Sequence, residues 1–289
     1  MAETKRQRYE ILKAQLKNEV SSFVPHYRDL ADHYLPSRIR LNLSDVNRGD
    51  RRNQKIIDST GRFAARTLRS GMMSGVTSPA RPWFRLTTPD PDLAEFGRVK
   101  EWLHVVSQRK SHIFLRSNLY NILPIVYGDN GVFGTAPMFV EEDFESVLRF
   151  RSFPVGSYMI GCDYRGRVNV FFREFRMTVR QLVEQFGERD KRTGKPDWTK
   201  FSTQVRNLWD QGAYETWIDV CHVIKPNDDY RPEAIEAKFK KFTSCYYESG
   251  TANDWGKEDT YLRESGYDYF PVLCPRWEVT GEDSYGTAC

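Results

Sequence analysis

Gly128-Asp129-Asn130-Gly131-Val132-Phe133-Gly134-Thr135-Ala136-Pro137-Met138-Phe139-Val140 is the stretch at which the pattern of the chain changes. Before it, apolar residues return every three or four positions, the period of a helix with one packed side; after it they alternate, the period of a strand. Gly128 to Gly131 combine two glycines with two turn formers, so they read as a helix stop leading into a strand that begins at Val132. An anion-binding turn is the alternative reading, and the simple connection is preferred.

Upstream, Tyr9, Leu12, Leu16, Val20, Phe23, Tyr27, Leu30 and Tyr34 predict helix over residues 3–34, with Lys5, Arg6, Arg8, Lys13, Lys17 and Arg28 facing out. Pro25 must bend or divide that helix, because it lacks an N–H and crowds the preceding turn. A second helix is expected over 50–73, with Ile56, Ile57, Phe63, Leu68 and Met72 inward and Gly61 a modest weakness. Residues 71–80 are small and flexible, and Arg81-Pro82-Trp83-Phe84-Arg85-Leu86-Thr87 reads as the start of a strand near 81–88. Helical periodicity returns over 92–116 and again from Ser117 or Asn118, where Pro124 is a complication.

Downstream, residues 147–153, 157–160 and 168–175 continue the alternation, and Asp163-Tyr164-Arg165-Gly166-Arg167 predicts a hairpin turn. Short helices are expected near 178–187 and 199–210, with strands at 216–223, within 239–248 and within 267–279. The fold class is therefore α+β. Residues 1–130 form a mainly helical region, and 131–289 a β-rich region whose sheet is mainly antiparallel.

The chain has 289 residues, 39% of them hydrophobic and 14% aromatic, enough for a sizeable core. Its net charge is only +4, yet residues 1–69 hold 15 basic and 8 acidic side chains. Five cysteines with no CxxC and an odd count argue against a disulfide framework and fit a reducing compartment. No run of 18 apolar residues and no signal-peptide core occur, so a soluble protein made in cytosol is expected. Ending directly after a strand, the chain reads as part of a longer polypeptide.

Chemistry finds little support. No GxxxxGK[ST] or GxSxG occurs. Cys221 and His222 are adjacent, would point to opposite faces of a strand, and lie far in sequence from Cys245 and Cys274, so buried thiols are favoured over zinc. Glu141-Glu142-Asp143, Asp228-Asp229 and Glu282-Asp283 resemble solvated turn acids more than a two-metal site. No catalytic residue, metal or cofactor is assigned. Arg38, Arg40, Arg48, Arg51, Arg52, Arg62, Arg66 and Arg69 could meet DNA phosphates or capsid protein, with intersubunit pairing to acidic residues plus a solvated face the preferred reading. Trp83 and Phe84 could stack on bases but are expected in core or interface; if Trp83 is buried, its change to alanine costs about 3–5 kcal/mol.

Three segments carry a family signal: Tyr27-Arg28-Asp29-Leu30-Ala31-Asp32-His33-Tyr34-Leu35-Pro36, the run from Leu68 through Gly71, Gly75 and Pro79 to Arg81-Pro82-Trp83-Phe84, and Gly131-Val132-Phe133-Gly134-Thr135-Ala136. Pro275-Arg276-Trp277-Glu278 and Gly281-Glu282-Asp283-Ser284-Tyr285-Gly286 extend it. In this order they resemble the portal, or head-tail connector, family of short-tailed phages. The resemblance implies a wing-like α+β fold in a homo-oligomeric ring, usually a dodecamer, at a capsid vertex of the virion, assembled in host cytoplasm. It further implies capsid protein, terminase and tail adaptor proteins as partners, double-stranded DNA passing through the channel during packaging and ejection, and no membrane. Stem, clip and crown would follow Cys289. Gly71, Gly75 and Pro79 would shape a tight connection; Arg81, Trp83 and Phe84 would anchor the next strand, and Tyr27, Tyr34 and Trp277 would pack. The competing readings are a monomeric DNA-binding or DNA-processing protein and a scaffold without a nucleic-acid role.

Overall fold

The computed structural model describes residues 4–42, 49, 52–187, 196–249 and 260–288. Its helices begin with α1 (Lys5–Ser21), α2 (Val24–His33), α3 (Thr60–Gly75), α4 (Pro91–Glu95), α5 (Gly97–Arg116) and α6 (Leu119–Phe133). Strands β1 (Met138–Asp143), β2 (Val147–Ser152), β3 (Tyr158–Cys162) and β4 (Val168–Thr178) follow. Then come α7 (Val179–Phe186), α8 (Thr203–Asp210), β5 (Trp217–Pro226), β6 (Phe242–Glu248), β7 (Arg263–Tyr267) and β8 (Val272–Leu273). The fold is α+β with antiparallel sheets, as the change of period at residue 131 predicts.

The described chain divides into two compact units, each discontinuous in sequence. The first draws on residues 1–29, 39–51 and 154–270. Its five-stranded antiparallel sheet has the order β3-β4-β5-β6-β7. The 163–167 turn closes the first hairpin, with Asp163 N–H donating to Arg167 O at 2.8 Å and Gly166 at φ 71°. Helix α1 starts in a capping box: Gln7 N–H donates to Thr4 Oγ1 and Thr4 N–H to Gln7 Oε1. It buries Tyr9, Leu16 and Val20. A second capping box, Thr178 with Gln181, turns β4 into α7, which packs Leu182 and Phe186 against Val205, Val220 and Tyr246.

The second unit draws on residues 30–38, 52–153 and 271–289. Its sheet has the order β2-β1-β8. Its core is built around α6, where Leu119, Leu123 and Val126 meet Ala136, Met138 and Phe150. Asn118 ties that helix to the sheet: its Nδ2 donates to Phe150 O and its Oδ1 accepts from Phe150 N–H, both at 2.8 Å.

Three expectations change. Gly128-Asp129-Asn130-Gly131 does not stop a helix; it is the last part of α6, which ends at Gly134 with φ 77° and an N–H bonded to Asn130 O. The reason is packing. Glycine at 128 and 131 lets α3 approach: a Cβ on Gly131 would lie 2.5 Å from Leu68 Cδ2, and one on Gly128 3.3 Å from Arg69 Cδ. Helix α3 begins at Thr60 rather than near residue 50, leaving Ile57 fully exposed and Phe63 largely so, and it runs through Gly71 to Gly75. Residues 81–88 join no ladder among the described residues; prolines flank the segment and side chains hold it instead. Residues 3–34 divide between α1 and α2, with Pro25 in the first turn of the second helix, where its missing N–H is harmless.

Candidate functional site

Of the segments singled out in the sequence, 68–84, 131–136, 275–278 and 281–286 meet around α6 and the turn after it. Gly134 and Gly286, far apart in the chain, touch backbone to backbone: a Cβ on Gly134 would lie 2.4 Å from Gly286 O. Thr135 Oγ1 accepts from Gly286 N–H at 2.8 Å and donates to Gly286 O at 3.3 Å. Trp277 N–H donates to Gly134 O, Ala136 N–H to Pro275 O, and Tyr285 is buried beside them. Trp277 itself stays 42% exposed, so its backbone rather than its indole makes the attachment.

The 68–84 segment docks on the same helix. Thr77 and Tyr127 share a hydroxyl hydrogen bond of 2.8 Å, Arg81 Nη2 donates to Ser74 O, and Trp83 Nε1 donates to Tyr120 OH at 3.1 Å. Trp83 stacks on Phe114 at 6.0 Å and meets Phe84 edge-on at 4.9 Å. Pro79 lies in the connection after α3, whereas Gly71 and Gly75 are helical with open space where a Cβ would be. Tyr27 is buried in the first unit. Tyr34, half exposed, covers Gly61, whose Cβ would lie 2.8 Å from the ring, which explains a glycine inside α3.

The arginines separate. Arg38, Arg62, Arg66 and Arg69 line one cavity of about 460 Å3 in the second unit. Arg52 lies in the same unit outside that lining, and Arg40 belongs to the first unit, its N–H bonded to Val155 O. Arg48 and Arg51 fall outside the described residues. Arg38 Nε donates to both Asp129 carboxylate oxygens at 2.9 and 3.1 Å, its Nη2 closes the fork on Oδ2, and Ser152 Oγ accepts from Nη2 at 3.5 Å. Burial pushes the Asp129 carboxyl above its ordinary value, against the pull of Arg38 and then Arg69. Asp129 was hidden in the sequence by its glycine neighbours, which make a buried helical acid look like a turn.

Several other chemistry-bearing groups have partners of their own. Lys13, expected to face out, is mostly buried, and Nζ lies 2.5 Å from Glu10, 3.3 Å from Glu174 and 3.8 Å from Cys221 Sγ. Burial pushes the Cys221 thiol up to about 11, outweighing the Lys13 cation, so it is not a poised nucleophile. His222 stacks on Tyr246 at 3.8 Å with Nε2 2.9 Å from Ser244 Oγ. Glu141 pairs with Arg151, Asp143 caps the β1–β2 turn through Ser146, Asp228 pairs with Lys225, and Asp229 with Lys5. Among the described residues no three His, Cys, Asp or Glu side chains group as a metal site, and no helix is long and apolar enough to cross a membrane.

Helices sewn to small antiparallel sheets, with several of their acids held in ion pairs, define an α+β scaffold. The chain belongs to the bacteriophage head to tail connecting protein family, whose model matches residues 6–289. It is 49% identical over its whole length to the portal protein of Salmonella phage epsilon15 and 42% identical over 95% of its length to the probable portal protein of Bordetella phage BPP-1. It spans about half the length of these curated relatives, 49% and 47% respectively.

Proposed function

We propose that this chain supplies the wing-like part of a portal subunit, a non-catalytic wall segment of a ring at the capsid vertex. The family match over nearly the whole chain carries this reading. Exposed apolar side chains support it. Phe63 on α3, Trp102 on α5 and Phe144 at the β1–β2 turn stand largely in solvent, and none of α3, α4 or α5 has a buried residue. Surface of this kind fits contact with further copies or other polypeptides.

In this reading the ring is a dodecamer standing at the head-tail junction of the virion and assembled in host cytoplasm. Double-stranded DNA passes through it without sequence-specific contact, and capsid protein, terminase and tail adaptors bind it. Stem, clip and crown belong to the longer polypeptide. The helical region 1–130 and β-rich region 131–289 form the wing, packed by Tyr27, Tyr34, Trp83 and Phe84, with Trp277 attached through its backbone.

Incubation of the chain with linear double-stranded DNA and Mg2+ or Mn2+ separates this from a DNA-processing role. The DNA should remain intact, with any binding falling steeply as salt rises. Metal-dependent cleavage that copurifies with the chain would favour the processing enzyme.

A further inference from the structure

Arg62, Arg66 and Arg69 are four and three residues apart on α3, a spacing that gathers them on one side of the helix. With Arg38 and Ser59 they line the cavity of about 460 Å3 that α6 closes with Gly128 and Asp129. Its charges do not balance. Asp129 is the one carboxylate of that lining, and the Arg38 fork already occupies it. Helix α3 contains no acidic residue, and Arg62 and Arg66 form no ion pair among the described residues. Arg62 and Arg66 are exposed at the mouth of this cavity, and like charges one turn apart on a helix disfavour each other, which a bound anion relieves.

We infer that this cavity is a phosphate-binding site, with Arg62, Arg66 and Arg69 as the binding forks and the Arg38–Asp129 pair as the fixed floor. Asp129 holds the Arg38 guanidinium in place, and Gly128 lets the Arg69 stem lie flat on α6. Guanidinium forks match phosphate oxygens, and three of them offer more donors than a single carboxylate accepts. The same chemistry serves a free phosphate or a nucleic-acid phosphodiester. Only the second source rests on the portal reading; the pocket itself does not.

The test is calorimetric titration of the chain with inorganic phosphate and, at matched ionic strength, with acetate. Wild type, Arg62→Gln/Arg66→Gln and the surface control Arg149→Gln are compared, with circular dichroism to verify the fold. Saturable phosphate binding is expected in wild type and control, weakened about tenfold or more in the double variant, with no saturable acetate signal. A short DNA duplex that displaces phosphate identifies the backbone as the source; a duplex that does not displace it identifies free phosphate. Either result retains the pocket. Phosphate binding that is absent, unchanged in the double variant, or matched by acetate overturns it.

Discussion

Trp83 stacks on Phe114 and donates to Tyr120, yet 37% of its surface remains in solvent. That exposure lowers the expected cost of its loss. A fully buried tryptophan would give about 3–5 kcal/mol on change to alanine, whereas partial burial with one or two aromatic pairs gives about 2 kcal/mol. Chemical denaturation of Trp83→Ala should show that smaller change; a value under about 1 kcal/mol removes Trp83 as an anchor. Aromatic side chains were legible as packing residues because so many stood at regular spacing. Lys13 and Asp129 were not. Their burial depends on Glu10, Glu174 and Arg38 coming from other turns or other elements to hold them.

At the scale of elements, α6 is the hub of the second unit, and the turn after it is the point most sensitive to change. Gly134 combines a left-handed backbone with a close approach to Gly286 O, so alanine there meets both a conformational and a steric obstacle. Gly134→Ala should destabilise by about 2–4 kcal/mol, of which the left-handed conformation accounts for about 1–2 and overpacking for the rest. Gly166→Ala is the control: φ is 71° but nothing lies within 4 Å, so only the conformational part, about 1–2 kcal/mol, should appear. Equal losses in both variants would show that the 134–286 contact holds nothing. The change from helical to strand period was readable in the sequence, but the strand was started six residues too early, at Val132 rather than Met138. Gly128 and Gly131 resemble turn formers when read alone and become helix-packing residues only when Arg69 and Leu68 are seen against them. Residues 81–88 alternate like a strand, but a ladder needs a partner edge, and the segment is held by side chains instead.

At the scale of the molecule, each unit gathers residues from separate parts of the chain, so local period alone could not outline them. The ordered segments that carry the family resemblance did more. Gly131 to Ala136, Pro275 to Glu278 and Gly281 to Gly286 come together in space around one turn. Which apolar side chains stay exposed was not legible, because Phe63, Trp102 and Phe144 look like core residues in a linear pattern. Electron microscopy of the protein that carries this chain, with native mass measurement, is the most direct test of the central claim that this chain is a repeated wall segment. A closed ring of many copies around an opening wide enough for double-stranded DNA is the predicted result; a full-length polypeptide that stays monomeric at all concentrations would contradict it.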